Sequence, residues 1–354
     1  MVKRSFIYAA LLFLLSGLTV RAETTAARPF VFLPQWHPQA QFAGYYVALE
    51  KGFYKDRGID LKILRGGPDR PVTDLLEKGI ADFCTMFLST AIQRRSGGMK
   101  LVNIGQIMQH SSLMLVAKKS SGISSPRDMN GKRVGLWGAD FQIQPRALFQ
   151  RQGISPIIVP QTTTMNLFLR GGVDVASATW YNEYHILLNS GLSPDELNVF
   201  FFHSYGLDFP EDGIYCMEKV LEENPEACCA FVRATIDGWL YAFAHPEEAL
   251  DIVMKVVNEN TLPTDRIHQR WMLGRMYELI CPVLPTLASG GPADVPYMQG
   301  RKEPSPAPQK GCPMGRLEEE DYNTVVRVLT AAGLIQEVPR YSDFHRKCES
   351  DVQR

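Results

Sequence analysis

Gln35-Trp36-His37-Pro38-Gln39-Ala40-Gln41-Phe42-Ala43-Gly44-Tyr45-Tyr46-Val47-Ala48-Leu49-Glu50-Lys51-Gly52-Phe53-Tyr54 is the stretch on which the fold is decided. A short apolar run at residues 30–33 precedes it and reads as a first strand. The glutamine and aromatic cluster therefore stands where a strand ends and a helix begins. Open α/β sheets bind ligands at that junction, because backbone N–H groups and the positive end of the helix converge there. Phe42, Tyr45, Tyr46, Leu49 and Phe53 recur at helical spacing along one apolar face, with Gly52 as the stop. The spacing predicts core positions for Phe42, Tyr45 and Leu49.

Upstream, Lys3 and Arg4 precede an uncharged run over residues 5–20, and Val20-Arg21-Ala22 places small residues at a cleavage point. That pattern predicts a secretory signal peptide over residues 1–22, cut after Ala22, and a periplasmic chain. The run is short for a membrane span, and no cysteine follows it to take a lipid anchor. The chain has 37 basic and 38 acidic residues, and loss of Lys3, Arg4 and Arg21 with the leader leaves an acidic excess of four. Such a balance excludes a polyanion surface, so no nucleic acid is expected as partner. A mature chain of about 330 residues is long for a single core and predicts two domains.

Downstream, strand and helix alternate. Residues 59–63 read as a half-buried strand, 72–78 as a helix stopped by Gly79, and 81–85 and 101–107 as strands. A second series runs as strand 133–136, helix 142–152, strand 157–159, helix 165–170, strand 173–176 and helix 181–188. This interleaving predicts an α/β chain with parallel sheets. Glu77-Lys78-Gly79-Ile80-Ala81-Asp82-Phe83 is echoed by Arg170-Gly171-Gly172-Val173-Asp174-Val175-Ala176, with Asp82 matching Asp174, which suggests a duplicated unit. From about residue 221 the pattern turns helical, with stretches starting at Asn224-Pro225 and His245-Pro246, a third over 266–280 and a last over 317–332. Residues 282–315, rich in Pro and Gly, read as loop.

The seven cysteines are Cys84, Cys216, Cys228, Cys229, Cys281, Cys312 and Cys348, an odd number that leaves at least one unpaired within the chain. Cys84 and Cys216 read as small buried apolar residues. Cys281 and Cys312 flank the Pro/Gly-rich loop, and export permits a disulfide between them.

No Gly-x-Ser-x-Gly elbow, Walker A loop, His-Glu-x-x-His or tight His/Cys spacing is present, so no catalytic residue, metal or cofactor is expected. Gly66-Gly67 and Gly97-Gly98 read as turns. A second cluster, Ala178-Thr179-Trp180-Tyr181-Asn182-Glu183-Tyr184-His185, again follows a strand. Its aromatics and carboxylate suit a flat heterocycle, stacking on its faces and accepting from its amino group. Packing alone would instead bury Trp180 and Tyr184 and leave Glu183 as a solvated first-turn residue favoured by the helix dipole. Trp36, on the facing lobe, tips the balance toward a binding cleft. The loop over residues 206–213 adds Asp208 or Asp212 as a cleft acid. The candidate ligand contacts are thus Gln35, Trp36, Gln39, Gln41 and Tyr46 from the first cluster, Trp180, Tyr181 and Glu183 from the second, and Asp212.

Trp36-x-Pro38-Gln39-Ala40-Gln41-Phe42-Ala43-Gly44-Tyr45-Tyr46, Glu50-Lys51-Gly52-Phe53-Tyr54, Gly66-Gly67, Ala81-Asp82-Phe83 and Trp180-Tyr181-Asn182-Glu183-Tyr184 closely resemble the NMT1/THI5-like (SsuA/THI5-like) substrate-binding proteins. These are type II periplasmic binding proteins of ABC importers, and the resemblance covers residues 30–279. It implies a type II periplasmic-binding-protein fold: lobe 1 over residues 27–115 and 214–354, lobe 2 over 116–213, and crossovers near 113–117 and 213–216. Residues 282–315 depart from the family as an insertion. The resemblance further implies a monomer that delivers a small planar nitrogen heterocycle, of the thiamine-precursor pyrimidine kind, to an ABC permease complex in the inner membrane. Neighbouring branches carry riboflavin, nitrate or sulfonates, and a periplasmic sensor docking to a receptor kinase would share the same cleft. Trp36 and Glu183 match the family's ligand aromatic and ligand acid. The fungal pyrimidine synthases share the fold but use a pyridoxal-phosphate lysine and a reacting histidine, at positions that match Met86 and Thr90 here. Without an amine for a Schiff base that chemistry has no carrier, so no enzyme is expected.

Overall fold

The computed structural model describes residues 28–281 and 312–347. The expected signal peptide and most of the 282–315 segment lie outside the described residues. The described strands are β1 (Phe30–Leu33), β2 (Leu61–Ile63), β3 (Phe83–Met86), β4 (Leu101–Gln106), β5 (Leu113–Lys118), β6 (Arg133–Leu136), β7 (Ile157–Pro160), β8 (Val175–Thr179), β9 (Leu197–Phe201) and β10 (Gly213–Met217). They form two five-stranded sheets in the orders β2-β1-β3-β10-β4 and β7-β6-β8-β5-β9. In each, four strands run in one direction and the fourth in order runs antiparallel to both its neighbours.

The two sheets have the same design with one strand exchanged. β5 follows β4 in sequence but completes the second sheet, and β10 follows β9 but completes the first. The chain passes between sheets at residues 107–112 and again ahead of β10. The segments 113–117 and 213–216 are thus strands that begin as each crossing ends.

The Asp82/Asp174 echo has a physical cause. Asp82 enters β3, and its Oδ2 accepts the Val31 N–H of β1 at 2.8 Å. Asp174 enters β8, and its Oδ2 accepts the Arg133 N–H of β6 at 2.9 Å. Each aspartate also pairs with a guanidinium, Arg28 for Asp82 and Arg133 for Asp174. The same carboxylate thus closes the open end of the leading strand in both sheets, where a backbone donor would otherwise lack a partner. It also delays β8, which starts at Val175 and runs to Thr179 instead of spanning 173–176.

The helices are α1 (Ala43–Glu50), α2 (Val72–Glu77), α3 (Leu88–Ser96), α4 (Ile143–Gln152), α5 (Asn166–Leu169), α6 (Glu183–Asn189), α7 (Glu218–Glu223), α8 (Pro225–Ala244), α9 (Pro246–Glu259), α10 (Arg266–Ile280), α11 (Glu319–Ala331) and α12 (Tyr341–Phe344). Prolines at the first helical position start α8 and α9, where the missing N–H costs nothing. Asp265 caps α10 by accepting the His268 N–H at 2.9 Å.

Helix α1 is not amphipathic in the way its spacing suggests. A 3-10 turn over Ala40–Phe42 precedes it, and every residue from Ala43 to Ala48 is buried between the first sheet, α8 and α9. Leu49 lies past that sandwich and is 40% exposed, so it is not a core residue. The packing is close because glycines meet: a Cβ at Gly238 of α8 would lie 2.0 Å from the Gly44 carbonyl oxygen. Gly66 is likewise more than a turn residue, since a Cβ there would sit 2.0 Å from the Pro34 oxygen and 2.3 Å from the Trp36 oxygen. It lets the 65–67 segment lie against the first ligand-side loop.

Cys281 and Cys312 form a disulfide with a sequence separation of 31, closing the ends of the Pro/Gly-rich segment. Cys229 is also disulfide-bonded, while Cys84, Cys216 and Cys228 are buried free thiols.

Replacing Gly238 by alanine is expected to destabilise the fold by about 1–3 kcal/mol through overpacking against backbone, read as a lower denaturant midpoint. The double change Cys281→Ser and Cys312→Ser is expected to cost roughly 2–4 kcal/mol, since the link restricts the unfolded chain. A midpoint matching wild type in a urea titration would show that the link contributes nothing.

Candidate ligand cleft

The loop leading into α1 and the return crossing into β10 meet between the sheets. Gln35 is fixed by its N–H, which donates to Thr85 Oγ1 at 3.0 Å. Its side-chain amide donates to Asp212 Oδ1, and the Gln41 amide donates to Asp212 Oδ2 at 2.7 Å. Gln39 in turn donates to Gln41 Oε1 at 2.6 Å. Gln35, Gln39, Gln41 and Asp212, far apart in sequence, therefore form one hydrogen-bonded chain.

The crossings run side by side. Asp212 O accepts from the N–H groups of Ile107 and Met108, both at 3.3 Å. The neighbouring Glu211 carboxylate accepts from Ser112 N (2.6 Å), Ser112 Oγ (2.7 Å), Ser111 Oγ (3.1 Å) and Leu113 N (3.2 Å). Asp208 accepts from Ser111 N at 2.8 Å and pairs with His110.

Counting acceptor sites separates structural acids from available ones. A carboxylate offers about four lone-pair positions. Glu211 receives four donors, three on Oε1 and one on Oε2. Asp212 receives two, leaving roughly half its capacity free. Glu183, at the start of α6, accepts the Thr179 N–H (3.0 Å) and hydroxyl (2.6 Å) on Oε2 and the Asn182 amide (2.8 Å) on Oε1. One site on Oε1 remains.

Burial shapes the protonation of all three. Glu211 is pushed up to about 8 and Asp212 to about 7 by burial, with their hydrogen bonds holding them back. Glu183 is raised by burial against the donors from Thr179. Tyr181 is raised by burial and then by the charges of Glu211, Asp212 and Glu183.

A groove of about 350 Å³ opens beside this floor, with Trp36 and Gln39 on one wall, Asn182 and Ile186 of α6 on another, and His268 and Gln269 of α10 on the third. Gln269 Oε1 accepts the Ala40 N–H at 2.6 Å and so pins α10 to the first loop.

Two candidate residues fall elsewhere. Trp180 does not face Trp36: its ring packs against Tyr184, Phe201 and Trp271, with the Arg275 guanidinium 5.3 Å from its centroid and its Nε1 donating to Glu278 at 3.1 Å. Helix α10 covers it, and nothing in the local sequence announces that long-range partner. Tyr46 is buried in the core around α1, and its hydroxyl has no partner among the described residues. Tyr45, expected only as core, carries a buried hydroxyl without a hydrogen bond and feels the charge of Asp212. Glu211, Asn182, His268 and Gln269 were missed as site residues. Their roles depend on crossings and on α10, and only the hydrophilic side chains in otherwise apolar helical runs gave a signal.

A family model described as NMT1/THI5 like matches residues 39–249. The riboflavin-binding protein RibY of Chloroflexus aurantiacus is 26% identical over 239 residues, covering 64% of this chain and 65% of that protein, just under two thirds of its length. The formylaminopyrimidine-binding protein of Halalkalibacterium halodurans is 25% identical over 267 residues, 72% of this chain and 78% of that protein. A 4-amino-5-hydroxymethyl-2-methylpyrimidine phosphate synthase of Legionella pneumophila is similar to the same degree, 26% over 236 residues, covering 62% of this chain and 71% of that protein. Among solved structures, the alkanesulfonate-binding protein SsuA of Xanthomonas axonopodis pv. citri bound to MOPS superposes with a TM-score of 0.61 at 12% identity, covering 91% of this chain and 100% of that one. The fold is that of the periplasmic binding proteins.

The raised acids give a pH signature. A carboxyl whose folded value exceeds its unfolded one stabilises the fold below the unfolded value, and this is lost as pH rises through the folded value. Stability is therefore expected to decline from about pH 4 to the region of 7–8 where Asp212 and Glu211 titrate. Asp212→Asn should flatten the lower part of that decline in denaturant midpoints measured from pH 4 to 8. An unchanged slope would place its titration elsewhere.

Proposed function

The chain belongs to the NMT1/THI5-like family, and on that premise we propose that it is the periplasmic substrate-binding component of an ABC importer, carrying a small planar nitrogen heterocycle of the aminopyrimidine kind. The acceptor-rich floor carries this reading. Asp212 and Glu183 keep unused lone pairs, and hydrogen bonds tie them, Asp212 through Gln41 to Gln39 and Glu183 to Asn182, to the lining of a groove that Trp36 flanks. Ring and amino N–H groups match such acceptors, and an indole face suits a flat ring. A nitrate or sulfonate group would instead bring no N–H donor to these acceptors.

Capture would follow hinge closure about the two crossings, with the ligand adding contacts available only in the closed form. An N-terminal leader would export the chain, which would act as a monomer and dock on its permease in the inner membrane. The relatives named as binding proteins support this reading. Those named as synthases share the fold, but the position matching their lysine is Met86, an apolar residue 1% exposed at the end of β3. A side chain without an amine cannot form a Schiff base, which supports binding without turnover.

Equilibrium titration with formylaminopyrimidine, 4-amino-5-hydroxymethyl-2-methylpyrimidine, riboflavin and MOPS tests the proposal. One of the pyrimidines is expected to bind most tightly, and Trp36→Ala, Asp212→Asn and Glu183→Gln should each weaken it about tenfold or more, the worth of a charged hydrogen bond or a stacked ring. Tightest binding of MOPS, or affinities untouched by all three changes, would overturn the ligand class or the site.

A further inference from the structure

One polar chain in the cleft wall runs beyond the ligand contacts. Asn182 Nδ2 donates to Glu183 Oε1 at 2.8 Å, and Asn182 Oδ1 lies 2.8 Å from His268 Nε2. His268 Nδ1 lies 2.9 Å from His185 Nδ1. The Asn189 amide nitrogen also lies 3.3 Å from His185 Nδ1. The Asn182 amide gives its N–H to the carboxylate, so its oxygen must accept from His268 Nε2–H. A neutral His268 then offers a lone pair at Nδ1, and His185 Nδ1 either donates to it at 2.9 Å or accepts from the Asn189 amide at 3.3 Å.

This chain joins two bodies. Asn182, Glu183 and His185 belong to the start of α6, on the second sheet. His268 stands on α10, whose Met272, Leu273 and Met276 pack in the core around α1 and whose Gln269 is tied to Ala40. Trp271, one turn on from His268, stacks on His185 with centroids 4.8 Å apart and an interplanar angle of 11°. Opening the cleft by moving α6 away from α10 must break both the relay and this stack.

We infer that Asn182 and His268 are positioning residues that aim the free lone pair of Glu183 at the ligand and, through His185, latch α6 to α10 in the closed cleft, so that acid opens the latch and releases ligand. The inference rests on Glu183 contacting the ligand as proposed above. A single added proton can be shared between the two imidazoles, but a second sets N–H against N–H, and two charges, across 2.9 Å. Burial disfavours even the first: it lowers His268, and it lowers His185 to about 4, with His268 as the next cause. The other charged groups facing the pair are Asp265, which favours protonation of both rings, and Arg275, which opposes it at His185. Two imidazoles held below their ordinary value support the closed form above about pH 6.5, and that support is lost as pH falls toward 4.

The mature, untagged protein is compared with His268→Gln, which keeps a side-chain N–H for Asn182 but cannot titrate, and with His185→Phe, which keeps the stack on Trp271. Small-angle scattering of the ligand-free protein at pH 7.5 and 5.0, with circular dichroism confirming that it stays folded, reads the latch itself. The wild type is expected to expand at pH 5.0 and both variants to keep one radius of gyration. The dissociation constant for 4-amino-5-hydroxymethyl-2-methylpyrimidine should rise about tenfold or more in the wild type from pH 7.5 to 5.5 and by less than half as much in His268→Gln; the probe's own titration is common to both proteins and cancels in the comparison. A wild-type radius that does not change, or a His268→Gln variant with the wild-type pH response, overturns the latch. Failure of the pyrimidine to bind at any pH, with the scattering as expected, would instead overturn the ligand reading and leave the latch standing.

Discussion

A carboxylate held by four donors at the crossing of the chain joins the two halves of this protein. Glu211 collects the Ser112 N–H and hydroxyl, the Ser111 hydroxyl and the Leu113 N–H, so the start of β5 is joined to the segment leading into β10. An unpaired charge at such a buried position would cost several kcal/mol. Four donors hold it, and through them the two crossings are tied side by side. Its neighbour Asp212 receives only half as many donors, from Gln35 and Gln41, and keeps acceptor capacity.

The duplicated design explains why the cleft lies where it does. Each sheet presents the C-terminal ends of its parallel strands to the other, and each exchanges one antiparallel strand. The two strand-to-helix junctions, at Gln35–Gln41 and Thr179–Glu183, thereby face a common space. Asp82 and Asp174 seal the opposite ends of the leading strands. Carboxylates thus do structural work at the closed ends of the strands and remain partly unsatisfied at the open ones.

Much of this architecture was legible in the sequence because it is local. The apolar run at 30–33, the glycine stops at Gly52 and Gly79 with φ of +78° and +64°, and the proline starts of α8 and α9 act within one turn or strand. The span expected for α10 matches Arg266–Ile280. Leu49 was misplaced because α1 is enclosed on several sides, so its period no longer reports which face is buried. Trp180 was misplaced because an aromatic at a strand end packs equally well against a ligand or a helix, and only the position of α10 chooses between them. The same helix brings His268 and Gln269 to a cleft from which they are distant in sequence.

By itself the sequence determined the alternation of elements, the internal repeat and the two polar junctions, since each arises from hydrogen bonding and side-chain periodicity over a few residues. The tertiary structure alone decided which acids are spent and which are free. Glu183, Glu211 and Asp212 are identical in kind along the chain, and they differ only in how many donors the folded neighbours deliver. That number depends on residues up to 177 positions away, as between Gln35 and Asp212, and no local pattern encodes it.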